Sequence, residues 1–188
     1  TGLTMPTRYP YRVISTNSVG LTTRSDDFTF TTVALPILSG VAASAITGTA
    51  ATIGWSTDQP ASSQVEYGAT TSYGTTTTLS SALVTAHVHG LTGLTIGTTY
   101  HYRVISTNSV GLTTTSDDFT FTTAALPVVS AVAASAITGT AATITWTTDQ
   151  ATSSQVEYGP TTSYGTTTTL SSTPVTAHSQ GLTGLTIG

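Results

Sequence analysis

The segment Tyr11–Thr32 returns at Tyr102–Thr123 with a single change, Arg24 to Thr115, so the chain repeats with a period of 91 residues. Continuing at that offset, Val33–Gly97 matches Ala124–Gly188 at about four-fifths of positions. A near-identical repeat of this length marks an array of whole domains, since 91 residues can bury a core of their own. The phase of the repeat is informative too. The chain opens on Thr1-Gly2-Leu3-Thr4, the counterpart of Thr92–Thr95, and stops at Gly188, the counterpart of Gly97. The expected organisation is therefore one complete module, residues 33–123, flanked by two pieces. Residues 1–32 correspond to the last two strands of a module. Residues 124–188 correspond to the first five strands of a further one, to be completed by another chain or by missing sequence. Such an organisation suits a structural or adhesive protein better than an enzyme.

Composition narrows the fold. Charged residues make up 6% of the chain, against roughly 25% in an average soluble domain. Lysine is absent, and the basic residues are Arg8, Arg12, Arg24 and Arg103. Threonine, which is β-branched and suits a half-exposed strand, supplies about a quarter of all residues. A Thr-rich, charge-poor chain reads as all-β, with hydroxyls in place of ions on its outer faces. A net charge of −4 without clustering offers no basic footprint for nucleic acid. No stretch approaches the ~18–20 apolar residues of a bilayer span, so no membrane insertion is expected. Without cysteine there is neither a disulfide nor a thiolate metal site.

Short alternating runs punctuated by turn residues fit a β-sandwich. Ala51, Ile53 and Trp55 share one face of a strand ending near Ser56, and Ser63–Tyr67 follows as a separate strand closed by Gly68. Tyr100, Tyr102 and Val104 line one face of Thr99–Thr107, and Phe119 and Phe121 share a side after the Asn108-Ser109-Val110-Gly111 loop. The core expected from this alternation is Ile53, Trp55, Val65, Tyr67, Leu94, Tyr100, Tyr102, Val104, Phe119 and Phe121.

The succession Trp55, Val65-Glu66-Tyr67-Gly68, Leu91 to Tyr100 and Phe119 to Thr123 resembles a fibronectin type III domain, more narrowly the bacterial variety. The resemblance covers essentially the whole chain. It implies tandem immunoglobulin-like sandwiches, a core Trp55, and a tyrosine corner built on Leu94 and Tyr100. It implies little about activity, because this sandwich serves as spacer, binding module and fibre unit in different settings. Under it, Tyr9, Tyr11, Val13, Phe28 and Phe30 of residues 1–32 face into a sandwich, as do Ile144, Trp146, Val156, Tyr158 and Leu185 of residues 124–188. Neither piece can bury its apolar face alone. Pro10 stands where the complete module has His101, and a residue without an N–H belongs at an edge or bulge.

Candidate chemistry is sparse. His87, His89 and His101 are the nearest approach to a metal cluster, but the other copies carry Gln180 for His89 and Pro10 for His101, so exposed strand histidines are expected and no metal is assigned. Asp26-Asp27 and Asp117-Asp118 offer paired carboxylates of the kind calcium favours, without a third acid nearby. Glu66 and Glu157 lack a second carboxylate for glycoside chemistry, and neither a nucleophile elbow nor a phosphate-binding glycine loop occurs. No catalytic residue, cofactor or N-glycosylation sequon is expected, while Thr75–Thr78 and Thr166–Thr169 are candidate O-glycosylation tracts, read first as edge-strand threonines.

The expected function is that of a structural subunit of an extracellular filament or surface appendage. Its partner is self, in a head-to-tail homopolymer in which Tyr9, Tyr11, Val13, Phe28 and Phe30 donate strands to a groove lined by Ile144, Trp146, Val156, Tyr158 and Leu185. The alternative is a slice of a larger secreted or surface protein, an adhesin or the spacer region of a polysaccharide-degrading enzyme, with glycans or other surface proteins as partners. A sandwich preceding a metallophosphatase domain is a third, poorer fit. Short Ala-Leu-Pro linkers, at 34–36 and 125–127, limit slack between modules in each case.

Overall fold

The computed structural model describes residues 5–186, in which all regular structure is β-strand. Two compact units are formed, Thr1–Ala125 and Leu126–Gly188. The first opens with β1 (Arg8–Tyr11), β2 (Ile14–Thr16), β3 (Thr22–Arg24) and β4 (Phe28–Thr31). β1 pairs antiparallel with β4, and β2 with β3. Pro10 lies in a two-stranded ladder and so occupies an edge, as its missing N–H requires.

The complete module follows as β5 (Leu38–Ser44), β6 (Ala50–Gly68), β7 (Thr75–Thr76), β8 (Ser80–Thr92), β9 (Thr99–Thr107), β10 (Thr113–Thr115) and β11 (Phe119–Thr122). The first half of β6 lies between β5 and β8. Its second half lies between β7 and β9, and β9 carries β10 and β11 on its far edge. Strand β6 thus changes sheet partway along. The two stretches expected as separate strands are one 19-residue element, because Ala61 pairs with Val84 and bridges to Asn108, which keeps the connection extended. Register shifts beside Ala61 supply the bend. This arrangement is the sandwich that the fibronectin type III resemblance implies.

The apolar faces of the two halves meet in one core of Ala51, Ile53, Trp55, Val65, Leu91, Leu94, Tyr102, Val104 and Phe121, with Tyr67 and Tyr100 packed against it. Across that core, Trp55 Nε1 donates to Ser106 Oγ at 3.0 Å. The tyrosine corner is present, the Thr95 N–H donating to the Tyr100 hydroxyl at 3.0 Å. Phe119 departs from expectation. It contacts the Tyr102 ring but remains 36% exposed. The reason is a groove of 440 Å³ between Leu38 and Val41 of β5 and Thr114 to Asp117, which leaves the rim over Phe119 uncovered. Gly68 is dictated by close approach, since a Cβ there would lie 1.5 Å from the Tyr73 carbonyl oxygen. The entering linker is tied down: the Ala34 carbonyl accepts from Gln59 Nε2 and Asn108 Nδ2, and the carbonyl of buried Pro36 accepts from Thr114 Oγ1.

The second unit contains β12 (Val129–Ser135), β13 (Ala141–Ser154), β14 (Glu157–Tyr158), β15 (Thr166–Thr167) and β16 (Ser171–Thr183). β12, β13 and β16 form a three-stranded sheet, and β14 pairs with β15. The chain that runs unbroken through β6 here breaks between β13 and β14. Gln64–Gly68 of the module are held by β9, and no strand equivalent to β9 exists in residues 126–186. The same cause splits the N-terminal piece. Where β9 is continuous, β1 and β2 are interrupted at Arg12-Val13, the positions that in the module face Glu66 and Val65.

Candidate functional site

Two incomplete surfaces, one at each end of the chain, carry the residues that the sequence nominates as donor and acceptor. On the donor side, alternation in β1 and β4 sets Tyr9 opposite Phe30 and Tyr11 opposite Phe28, the same register as Tyr100 with Phe121 and Tyr102 with Phe119. Their rings contact one another at 5.5 and 5.8 Å, so the strand pair carries its own aromatic ladder. It is not covered. Tyr11 is 47% exposed against 2% for Tyr102, and Val13 is 55% exposed against 0% for Val104. Phe28 and Phe30 are exposed likewise.

On the acceptor side, Ile144, Trp146, Val156, Tyr158 and Leu185 are all half-buried, whereas Ile53, Trp55, Val65 and Leu94 at the matching positions are buried. Ile144, Trp146 and Val156 line an open groove of 480 Å³ together with Pro127, Val129 and Val132. The serine that receives the Trp55 indole N–H is Ser106. Its equivalent for Trp146 does not lie in residues 124–188, and at the 91-residue offset it is Ser15, in β2.

The backbone edges are complementary as well. In the module, Val65 uses its N–H and carbonyl on Thr77, and Val104 uses its own on Ser116, so the facing Val65–Val104 pair shares no hydrogen bond with itself. Val156 makes the same two bonds to Thr168, and Val13 the same two to Ser25. Each half thus keeps the outer ladder of the module and presents the edge that in the module is paired. In sheets such edges recruit strands.

The remaining candidates do not converge. His87 is buried, 2% exposed, and His89 half-buried, which corrects the expectation of exposed strand histidines. Strand alternation places both on the inner face with Leu91, where they stack on the Trp55 ring at 5.0 and 5.7 Å. Burial lowers the pKa of each, with the charge of His89 adding to the effect on His87. His101 points elsewhere, its Nδ1 lying 2.7 Å from Asp118. That hydrogen bond holds the Asp118 carboxyl below its ordinary range, while burial and then the bond to Asp118 push the Tyr73 phenol up. Glu66 is taken by Arg103 at 2.6 Å. Among the described residues, no group of three His, Cys, Asp or Glu side chains is placed to hold a metal ion.

One detail was invisible in the sequence. In the second unit Ser154 Oγ lies 2.6 Å from His178 Nδ1, satisfying a buried ring whose Nε2 meets Thr148. In the module Ser63, the equivalent serine, turns to His89, and His87 Nδ1 is left without a partner. Gln180 in place of His89 bonds the Ser154 carbonyl and leaves the hydroxyl available to His178.

Residues 39–123 match the family of the purple acid phosphatase N-terminal domain. Endoglucanase B of Cellulomonas fimi is 41% identical over 156 residues, a match that takes in 77% of this chain and 14% of the endoglucanase. The chain therefore spans only a small part of that relative's length. Among solved structures, similarity is found to the central fibronectin-III array of RIM-binding protein (18% identity, TM-score 0.36, 81% of this chain and 59% of that one). A two-domain fibronectin type-III segment of chicken tenascin is also similar (19% identity, TM-score 0.30, 80% and 85%).

Proposed function

From a chain built of tandem fibronectin type III modules, we propose a non-catalytic structural role in the extracellular space, with arrays extended by strand donation. The open groove of residues 126–186 takes β1–β4 of a second copy, and that copy's own groove takes the next. The observation carrying this reading is internal: the complete module already holds a near-identical strand pair, Tyr102–Thr123, on a near-identical groove. Donor and acceptor are different surfaces, so the contact is heterologous and need not close. Docking buries apolar side chains and pairs two open edges in one step.

The endoglucanase likeness favours a second reading, in which the modules are a spacer within a larger secreted enzyme and the same strands follow in one polypeptide. The packing is then unchanged, but covalent. Removing residues 1–32 tests the first reading. The full 188-residue chain is expected to assemble as its concentration rises, and the shortened chain to stay unassembled while binding a peptide of Tyr9–Thr32 one to one. Assembly that survives the truncation refutes strand donation. A natural polypeptide whose mass, measured after denaturation, lies far above 19.1 kDa supports the spacer reading.

A further inference from the structure

On the outer face of the module, β9 is fastened to β6 by a polar clamp whose parts recur at opposite ends of the chain. Arg103 Nε donates to Glu66 Oε2 at 2.6 Å, and the Arg103 guanidinium lies 4.7 Å from the centre of the Tyr73 ring. At the 91-residue offset, Arg103 becomes Arg12, Glu66 becomes Glu157 and Tyr73 becomes Tyr164. Arg12 is exposed between β1 and β2, and Glu157 is exposed in β14. Tyr164 keeps the left-handed backbone of Tyr73, φ 52° against 57°, and the same turn, its N–H donating to Thr161 as that of Tyr73 does to Thr70. The acceptor half of the clamp is thus already shaped, with Tyr164 51% exposed.

Resting on the strand-donation reading, we infer that Arg12 of one copy pairs with Glu157 of the next, beside the Tyr164 ring, and that this pair selects the strand the groove accepts. A guanidinium suits the place because it bonds a carboxylate while stacking on an aromatic face, which a lysine ammonium does less well. His101 Nδ1 also meets Asp118, but this contact joins β9 to the start of β11, so both partners belong to the donated strands. Their counterparts Pro10 and Asp27 both lie in the donor, and Arg12–Glu157 is the counterpart of an ion pair that spans the joint. Opposed charges across an interface chiefly govern which partner is admitted.

The test uses two full-length variants, Arg12→Glu and Glu157→Arg. Alone, each sets like charges against one another in every joint and raises the concentration needed for assembly by about tenfold. Mixed in equal amounts, the two alternate along an array so that every joint joins opposite charges, and assembly returns to the wild-type concentration. Variants that assemble individually like the wild type overturn the pairing and leave strand donation standing. So does a mixture that fails to recover. A wild-type chain that never assembles removes the docking reading itself, and this inference with it.

Discussion

Replacing Tyr11 by alanine separates docking from folding, because this side chain is half-exposed in the free strand and would be covered only in the joint. In the module the equivalent Tyr102 is 2% exposed, whereas Tyr11 is 47% exposed. Docking therefore hides nearly half of a surface on the order of 200 Å², or about 90 Å². At roughly 25 cal/mol per Å², that contributes about 2 kcal/mol to each joint, a factor of about thirty in affinity. Sedimentation or light scattering across a concentration series is expected to show Tyr11→Ala assembling at about thirty times the wild-type concentration, with thermal unfolding of the module unchanged. Tyr102→Ala should do the reverse, costing the module about 3–5 kcal/mol. An assembly threshold within about twofold of the wild type for Tyr11→Ala would refute the assignment of this face to the joint.

Two further outcomes follow from the differences between copies. His89→Gln should free the Ser63 hydroxyl for His87 Nδ1, as the second unit does with Ser154 and His178, and stabilise the module by about 1 kcal/mol in chemical denaturation. Because burial lowers both histidine pKa values below the ordinary 6.5, the unfolded chain binds more protons in acid. Stability is then full above pH 6.5 and declines as pH falls below it, less steeply in His89→Gln; a pH-independent melting temperature between 7.5 and 5 would contradict this. Ala131 sits at φ 51° in the β12 bulge where the module has Gly40 at φ 64°, so Ala131→Gly should stabilise the second unit by about 1 kcal/mol, read from its own unfolding transition.

Much of the fold was legible because the sandwich is written in period-two alternation, which set Trp55, Val65, Tyr102 and Val104 inward as the structure has them. The repeat also marks residues 1–32 and 124–188 as counterparts of parts of the module, and identical residues favour the same surroundings. What alternation could not supply was the third dimension. It put His87 and His89 on one face without telling that this face was the core, although Leu91 two residues on was the available clue. It placed Phe119 with Phe121 but could not foresee a groove beside β5 that leaves the former at the rim. The destination of the Ser63 hydroxyl depends on one side chain across the sheet, and no local pattern encodes it.

Cross-linking tests the central claim most directly, and the absence of cysteine makes the chain suited to it. Val65 and Val104 face one another in the module as a pair without mutual hydrogen bonds, where α-carbons approach to about 4.5 Å, within reach of a disulfide. Strand donation puts Val13 of one copy and Val156 of the next in that relation. Chains carrying Val13→Cys alone, mixed with chains carrying Val156→Cys alone and mildly oxidised, should give a disulfide-linked dimer that neither yields by itself to the same extent. A mixture that produces no more dimer than the separate variants would contradict the claim that one chain completes the sandwich of another.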